Sequence, residues 1–209
     1  SFNDAYLGSV RAQSWWNNAT TSLDFSGRVL SDARDTVAKI DGGYFFANDS
    51  LDLFGHADHL DIKFIEPFMA SILQNIKGTA SGDVHVYGHT QTQEVSVTVE
   101  AMAENAQAGI DFLGATFFFN DSIILTPTEI ILSDIDVLDT EGNHATLNGL
   151  LTHRYFKNLD YRIDINCQNF KALNTTAKDN DLFYGTAYAT GNAVITGTAA
   201  HTNIVVDAP

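Results

Sequence analysis

At 209 residues the chain can fill one large domain, and its 44% hydrophobic content is that of a folded chain rather than a disordered one. Twenty-six acidic against 11 basic side chains give a formal net charge of −15, which phosphate backbones would repel, so nucleic acid is not an expected partner. The single cysteine, Cys167, excludes an intrachain disulfide, and no apolar run is long enough for a membrane-spanning helix.

In chain order, Asp41-Gly42-Gly43 reads as a turn. Tyr44-Phe45-Phe46-Ala47-Asn48-Asp49-Ser50-Leu51-Asp52-Leu53 is echoed later by Phe117-Phe118-Phe119-Asn120-Asp121-Ser122-Ile123-Ile124-Leu125, with one residue inserted. Ile65, Phe68, Met69, Ile72, Leu73 and Ile76 recur at helical spacing, which predicts an amphipathic helix over Glu66–Lys77. Pro67 suits its first turn and Gly78 its stop. Phe68, Met69, Ile72, Leu73 and Ile76 would pack on a sheet or cover one end of an apolar groove.

Ala80-Ser81-Gly82-Asp83-Val84-His85-Val86-Tyr87-Gly88 then alternates as a strand bounded by glycine. It is matched by Ala189-Thr190-Gly191-Asn192-Ala193-Val194-Ile195-Thr196-Gly197. Val95, Val97, Val99 and Ala101 alternate with Ser96, Thr98 and Glu100. Asn120-Asp121-Ser122 reads as a turn. Ile130 and Leu132 continue into Ile135 and Val137 only after a phase slip at Ser133-Asp134, which predicts a bulge. Turns are expected at Asp139–Asn143 and Lys178–Asp181. Ala145 and Leu147, and then Tyr161, Ile163, Ile165 and Cys167, complete the one-sided strands. Cys167 itself reads as a small apolar core residue. The expectation is one β-rich domain over residues 1–209 with a weak internal repeat, 44–88 against 117–197. No signal peptide is visible and both termini stand in mid-pattern, so a piece of a longer protein is expected.

Chemistry-bearing motifs are sparse. His56-x-x-His59 and His85-x-x-x-His89 have ligand-like spacing, but neither carries the Glu beside the first His, on a helix, that a zinc protease needs. Asp134, Asp136, Asp139 and Glu141 miss the glycine and the oxygen ligand of a calcium loop, and read as solvent-facing strand and turn residues. There is no nucleophile elbow and no nucleotide-binding glycine loop. No enzyme, metal or cofactor is expected. Asn18, Asn48, Asn120 and Asn174 head Asn-x-Ser/Thr sites, which matter only in a eukaryotic secretory pathway.

Several motifs in order carry a family resemblance. Phe183-Tyr184-Gly185-Thr186-Ala187-Tyr188-Ala189-Thr190-Gly191, followed by Val194-Ile195-Thr196-Gly197, resembles the C-terminal region of TamB-like (AsmA-like) translocation and assembly modules. So does Asp139-Thr140-Glu141-Gly142-Asn143-His144-Ala145-Thr146-Leu147-Asn148-Gly149. Phe64-Ile65-Glu66-Pro67-Phe68 leading to Ile76-Lys77-Gly78-Thr79-Ala80-Ser81-Gly82 resembles the family's helix and the strand after it. The likeness spans about residues 40–200 and has the flavour of the Bacteroides group of bacteria.

The resemblance implies an elongated, curved antiparallel or mixed sheet, a β-taco, lined with apolar side chains. It implies a protein anchored in the inner membrane and reaching across the periplasm. It further implies phospholipid transport between the membranes, and outer-membrane protein assembly beside a BamA-like barrel protein. The groove lining expected from the one-sided strands is Val84, Val86, Val95, Val97, Val99, Ile110, Phe112, Ile130, Leu132, Leu147, Ile163, Ile165, Ala193 and Ile195, with phospholipid acyl chains as the occupant. The other reading of the same residues is an all-β surface or interaction module whose apolar face is closed core.

Overall fold

The structure is a computed structural model that describes residues 9–31, 33, 35–66, 73–110, 113–155, 157–178, 184–198 and 201–207. Period-two alternation is answered by strands throughout. These are β1 (Ser9–Asn17), β2 (Ser22–Leu30), β3 (Thr36–Phe45), β4 (Ser50–Asp61), β5 (Gln74–His89) and β6 (Glu94–Ile110), then β7 (Ala115–Leu125), β8 (Glu129–Leu138), β9 (His144–Arg154), β10 (Lys157–Thr175), β11 (Gly185–Thr198) and β12 (Thr202–Asp207). They form one 12-stranded sheet in strict sequence order, β1 to β12. Every pairing is antiparallel, so the mixed-sheet alternative is not met.

The sheet is curved and open. On a flat sheet β7 and β10 would lie about 14 Å apart, three strand spacings of ~4.8 Å. Instead Phe117 of β7 and Phe170 of β10 stack with ring centroids 5.4 Å apart. Between them β8 and β9 make the bend. Here the core sits: Ala103, Ala106, Ala115, Ile135, Ala145 and Phe170 are buried, and the pairing register puts all six on one face. Four of the six are alanines, which lets the opposing walls close.

The helix predicted over Glu66–Lys77 is corrected over its last turn. Residues 67–72, with Phe68, Met69 and Ile72, lie outside the described residues, and Leu73 precedes β5 without belonging to an element. Gln74 to Lys77 are strand, with Gln74 paired to Gly109 and Lys77 to Gln107, and Ile76 is buried in the sheet at 3% exposure. The helical spacing there is produced by a bulge. Asn75 takes a left-handed φ of 53°, and the register shift around it turns Ile76 toward the core. Gly78 is not a helix stop. Its φ is +117°, and a Cβ would lie 2.7 Å from Ala106 Cα, so it marks close backbone approach.

Two predicted turns are also strand. Gly42 lies within β3, where a Cβ would stand 2.8 Å from Leu53 Cα. Asn120-Asp121-Ser122 lies within β7. The Asp139–Asn143 turn is present, and of Lys178–Asp181 only Lys178 is described, in a turn. The bulge at Ser133-Asp134 is present, between Leu132 and Ile135.

That bulge is one of a series. His59 in β4, Asn105 in β6, Asp134 in β8 and Asn169 in β10 each take φ between 49° and 52°, and each sits where two residues oppose one. A bulge removes the ladder acceptor from one N–H. In every case the facing residue of the next strand supplies a side-chain oxygen instead. The N–H of His59 donates to Ser81 Oγ (2.9 Å), that of Asn105 to Asn120 Oδ1, that of Asp134 to Asn148 Oδ1 (2.8 Å) and that of Asn169 to Thr190 Oγ1 (2.9 Å).

Candidate functional site

Cross-strand partners share a face, so the register can be followed across the sheet. Phe25 pairs with Gly42, Gly42 with Leu53, Leu53 with Val86 and Val86 with Val97. Farther along, Ile135 pairs with Leu147, Leu147 with Ile165, Ile165 with Ala193 and Ala193 with Val206. These rows belong to one face, which is mainly apolar from β1 to β12, with Ser14 opposite Phe25 and Asp121 opposite Ala103 among its polar members. The opposite face carries Asp83, His85, Thr98, Glu100, Asp136, Thr146, Arg162 and Asn166.

All of the predicted lining residues except Phe112, which lies outside the described residues, stand on the apolar face. Each is half-buried. Among the described residues no second layer covers them, and the curl at β7–β10 encloses only the Phe117–Phe170 end. Leu51, Leu53 and Phe25 share the face and were not in the predicted set; the alternation Leu51-Asp52-Leu53 carried the signal for two of them. The two glycine-bounded strands keep the same sidedness, Val84 and Val86 on the face of Ala193 and Ile195. Concavity does not single this face out. The hollows of about 680 Å³ and 360 Å³ are lined mainly by polar-face residues of β1–β7, Phe54, His85 and Asp41 among them. What distinguishes the apolar face is continuity.

The Asp139 turn fastens the bent end. Asp139, expected to face solvent, is 3% exposed. The N–H groups of Glu141 (2.7 Å) and Asn143 (2.9 Å) donate to its Oδ1, and Asn143 Nδ2 (2.9 Å) and the Lys171 N–H (2.7 Å) donate to its Oδ2. β10 runs on past Cys167, where its pairing with β9 ends, and the Asp139 carboxylate takes up the N–H left there. Burial opposes ionisation, but these donors outweigh it and hold the carboxyl down at about 2. Glu141 accepts from Lys171 Nζ (3.0 Å) and Tyr188 Oη (2.8 Å), which lower its pKa and raise those of both partners. Asp-x-x-Gly-Asn is thus a fastening between β8, β10 and β11.

The remaining chemistry is dispersed. Cys167 sits half-buried on the apolar face between Ala145 and Gly191, and desolvation pushes its thiol up. His56 pairs with Asp83 (2.7 Å), His85 with Asp52 (2.6 Å) and His144 with Asp136 (2.9 Å), all on the polar face. His59, held between Asp58 (2.6 Å) and Glu104 (3.1 Å), has its pKa raised by the Asp58 hydrogen bond first and Glu104 second. Among the described residues no three His, Cys, Asp or Glu side chains are grouped to hold a metal ion, and no helix is long and apolar enough to cross a membrane.

Among the described residues the sheet thus has a mainly apolar face without a full covering layer, and an opposite face of dispersed polar side chains that also holds exposed Phe54, Ile124 and Leu150. Residues 133–208 match the family described as the TamB C-terminal domain, which supports a TamB-like family for this chain and, with it, an envelope protein. The family is one of transport and assembly modules. No curated protein and no solved structure matches the chain.

Proposed function

We propose that the chain is a groove-forming segment of a periplasmic TamB-like protein, in which the apolar face carries phospholipid acyl chains between the inner and outer membranes. The observation that carries this reading is the mainly apolar face of the twelve-stranded sheet, half-buried over β2–β6 and β9–β11 and without a covering layer there among the described residues. Each CH₂ kept from water is worth about 0.8 kcal/mol, so exposing a tail of a dozen carbons would cost on the order of 10 kcal/mol. On a face with no deep trap a tail exchanges one apolar contact for an equal one, and moves without that cost. The Phe117–Phe170 end is closed core in this reading, so the path runs over β2–β6 and β9–β11. Anchoring in the inner membrane and assembly work beside a BamA-like barrel belong to the same proposal.

The test is mass spectrometry of lipid extracted from purified protein, with Val97→Arg beside the parent. Val97 lies mid-strand on the apolar face, so the charge should cut bound phospholipid severalfold while circular dichroism stays unchanged. A parent that carries no lipid, or a variant that carries as much, would sink the assignment.

A further inference from the structure

One cross-strand row on the polar face departs from the acidic character of the chain. Arg11 of β1 lies directly opposite Arg28 of β2, and Arg28 directly opposite Lys39 of β3. Lys39 in turn faces His56. Eleven lysines and arginines serve the whole chain, yet three stand side by side. Like charges directly opposite on a sheet are destabilising. None of the three makes a side-chain hydrogen bond or ion pair with any described residue, and all three are exposed. Arg162 is matched to Asp164 and Lys171 to Glu141. Lys63, Lys77, Arg154, Lys157 and Lys178 also form no ion pair with a described residue, but apart from Arg154 opposite Lys157 they stand singly, so what sets the row off is three cations side by side. Asp41, two residues on from Lys39 in β3, shares this face and lines the larger hollow with Lys39, Asp83 and Glu100. None of these carboxylates forms an ion pair with the row, and three cations side by side are complementary to an anion from outside.

We propose that Arg11, Arg28 and Lys39 form a docking row for the phosphate headgroups of anionic phospholipid at a bilayer surface. The row is exposed and crosses three adjacent strands, with a charge every ~4.8 Å, so it suits phosphates arrayed side by side rather than one enclosed phosphate. Guanidinium groups engage phosphate in a bidentate fork. The same outer strand supplies interfacial side chains. Trp15 shares the face of Arg11 and is 47% exposed, and Val10 and Trp16 are 65% and 50% exposed on the other side of β1. Tryptophan beside basic side chains is the pairing that settles at headgroup level. The net charge of −15 repels an anionic surface as a whole, so contact is confined to this edge and the row sets the orientation. The proposal takes its phosphate source from the lipid reading above, but does not need the apolar face to hold a tail.

Flotation with phosphatidylglycerol vesicles at low salt tests it. The parent should bind, should release as salt rises, and should ignore phosphatidylcholine vesicles. The triple variant Arg11→Ser, Arg28→Ser, Lys39→Ser should bind on the order of a hundredfold more weakly, with a thermal midpoint no lower than the parent's because it relieves repulsion. Lys63→Ser, Lys77→Ser, Lys157→Ser reaches the same net charge and should bind like the parent. Val97→Arg should also bind like the parent, which separates this row from the acyl-chain reading. Equal loss in both triple variants, or no loss in the first, overturns the row. Calorimetric binding of inorganic phosphate by a parent that does not float assigns the row to free phosphate and overturns the headgroup.

Discussion

Asp139 shows how much a single side chain can decide. As an acid in a turn of an acidic chain it reads as solvent-facing, because nothing local records that β10 overruns β9 and needs an acceptor. Its pKa, lowered to about 2, lies below the unfolded value of about 3.9. A depressed carboxyl contributes stability above the unfolded pKa and loses it as pH falls toward the folded one. Chemical denaturation of Asp139→Ala at neutral pH should show a loss of about 3 kcal/mol, since buried donors are left without their charged acceptor. Between pH 4 and 2 the gap between parent and variant should narrow; a gap that stays constant would mean the carboxylate's charge contributes nothing. His59 works with the opposite sign. Its raised pKa gives a contribution present below the unfolded pKa and lost as pH rises through the folded one, and its exposure keeps that contribution small.

At the scale of the strand, the same residue types carry two meanings. Asn, Asp, Gly and Ser between apolar residues are turn signals, and Gly42 and Asn120 read that way. In the sheet both are strand devices: Gly42 admits the backbone of β4, and Asn120 accepts the N–H that the Asn105 bulge releases. The Ser133-Asp134 bulge was legible because Leu132 and Ile135 are apolar on both sides of the slip. The Asn169 bulge was not, because the polar stretch after Cys167 hides the phase. The helix misreading at Ile76 has the same origin, a bulge turning period two into apparent period three. Asn148→Ala should cost about 1 kcal/mol in urea unfolding by leaving the Asp134 N–H without its acceptor. Asp134→Gly, which suits a left-handed φ of 52°, should be neutral or stabilising. If both variants destabilise alike, the bulge conformation is not what the Asn148 contact protects.

At the scale of the whole sheet, sidedness was legible from alternation alone, and the register carries it across every strand. The curl was not legible, because Phe117 and Phe170 are far apart in sequence and nothing local announces their stacking. Phe170→Ala should cost about 3–5 kcal/mol, the range for an aromatic lost from a core, whereas truncating Val97 on the uncovered part of the same face should cost far less. Thermal unfolding of Phe170→Ala and Val97→Ala checks this, and equal losses would mean that the face is buried evenly along its length.

The strict β1-to-β12 order has a consequence for how such a chain is made and how it changes. Each strand bonds only to its neighbours in sequence, so a hairpin can join the sheet as soon as it is synthesised, and none has to wait for a distant partner. Hairpins can also be gained or lost by duplication or deletion without rethreading the rest, as in repeat proteins. The reach of the apolar face is then set by the number of hairpins the gene encodes. Around Asp139 and Phe170 such editing would have to preserve a longer-range match as well.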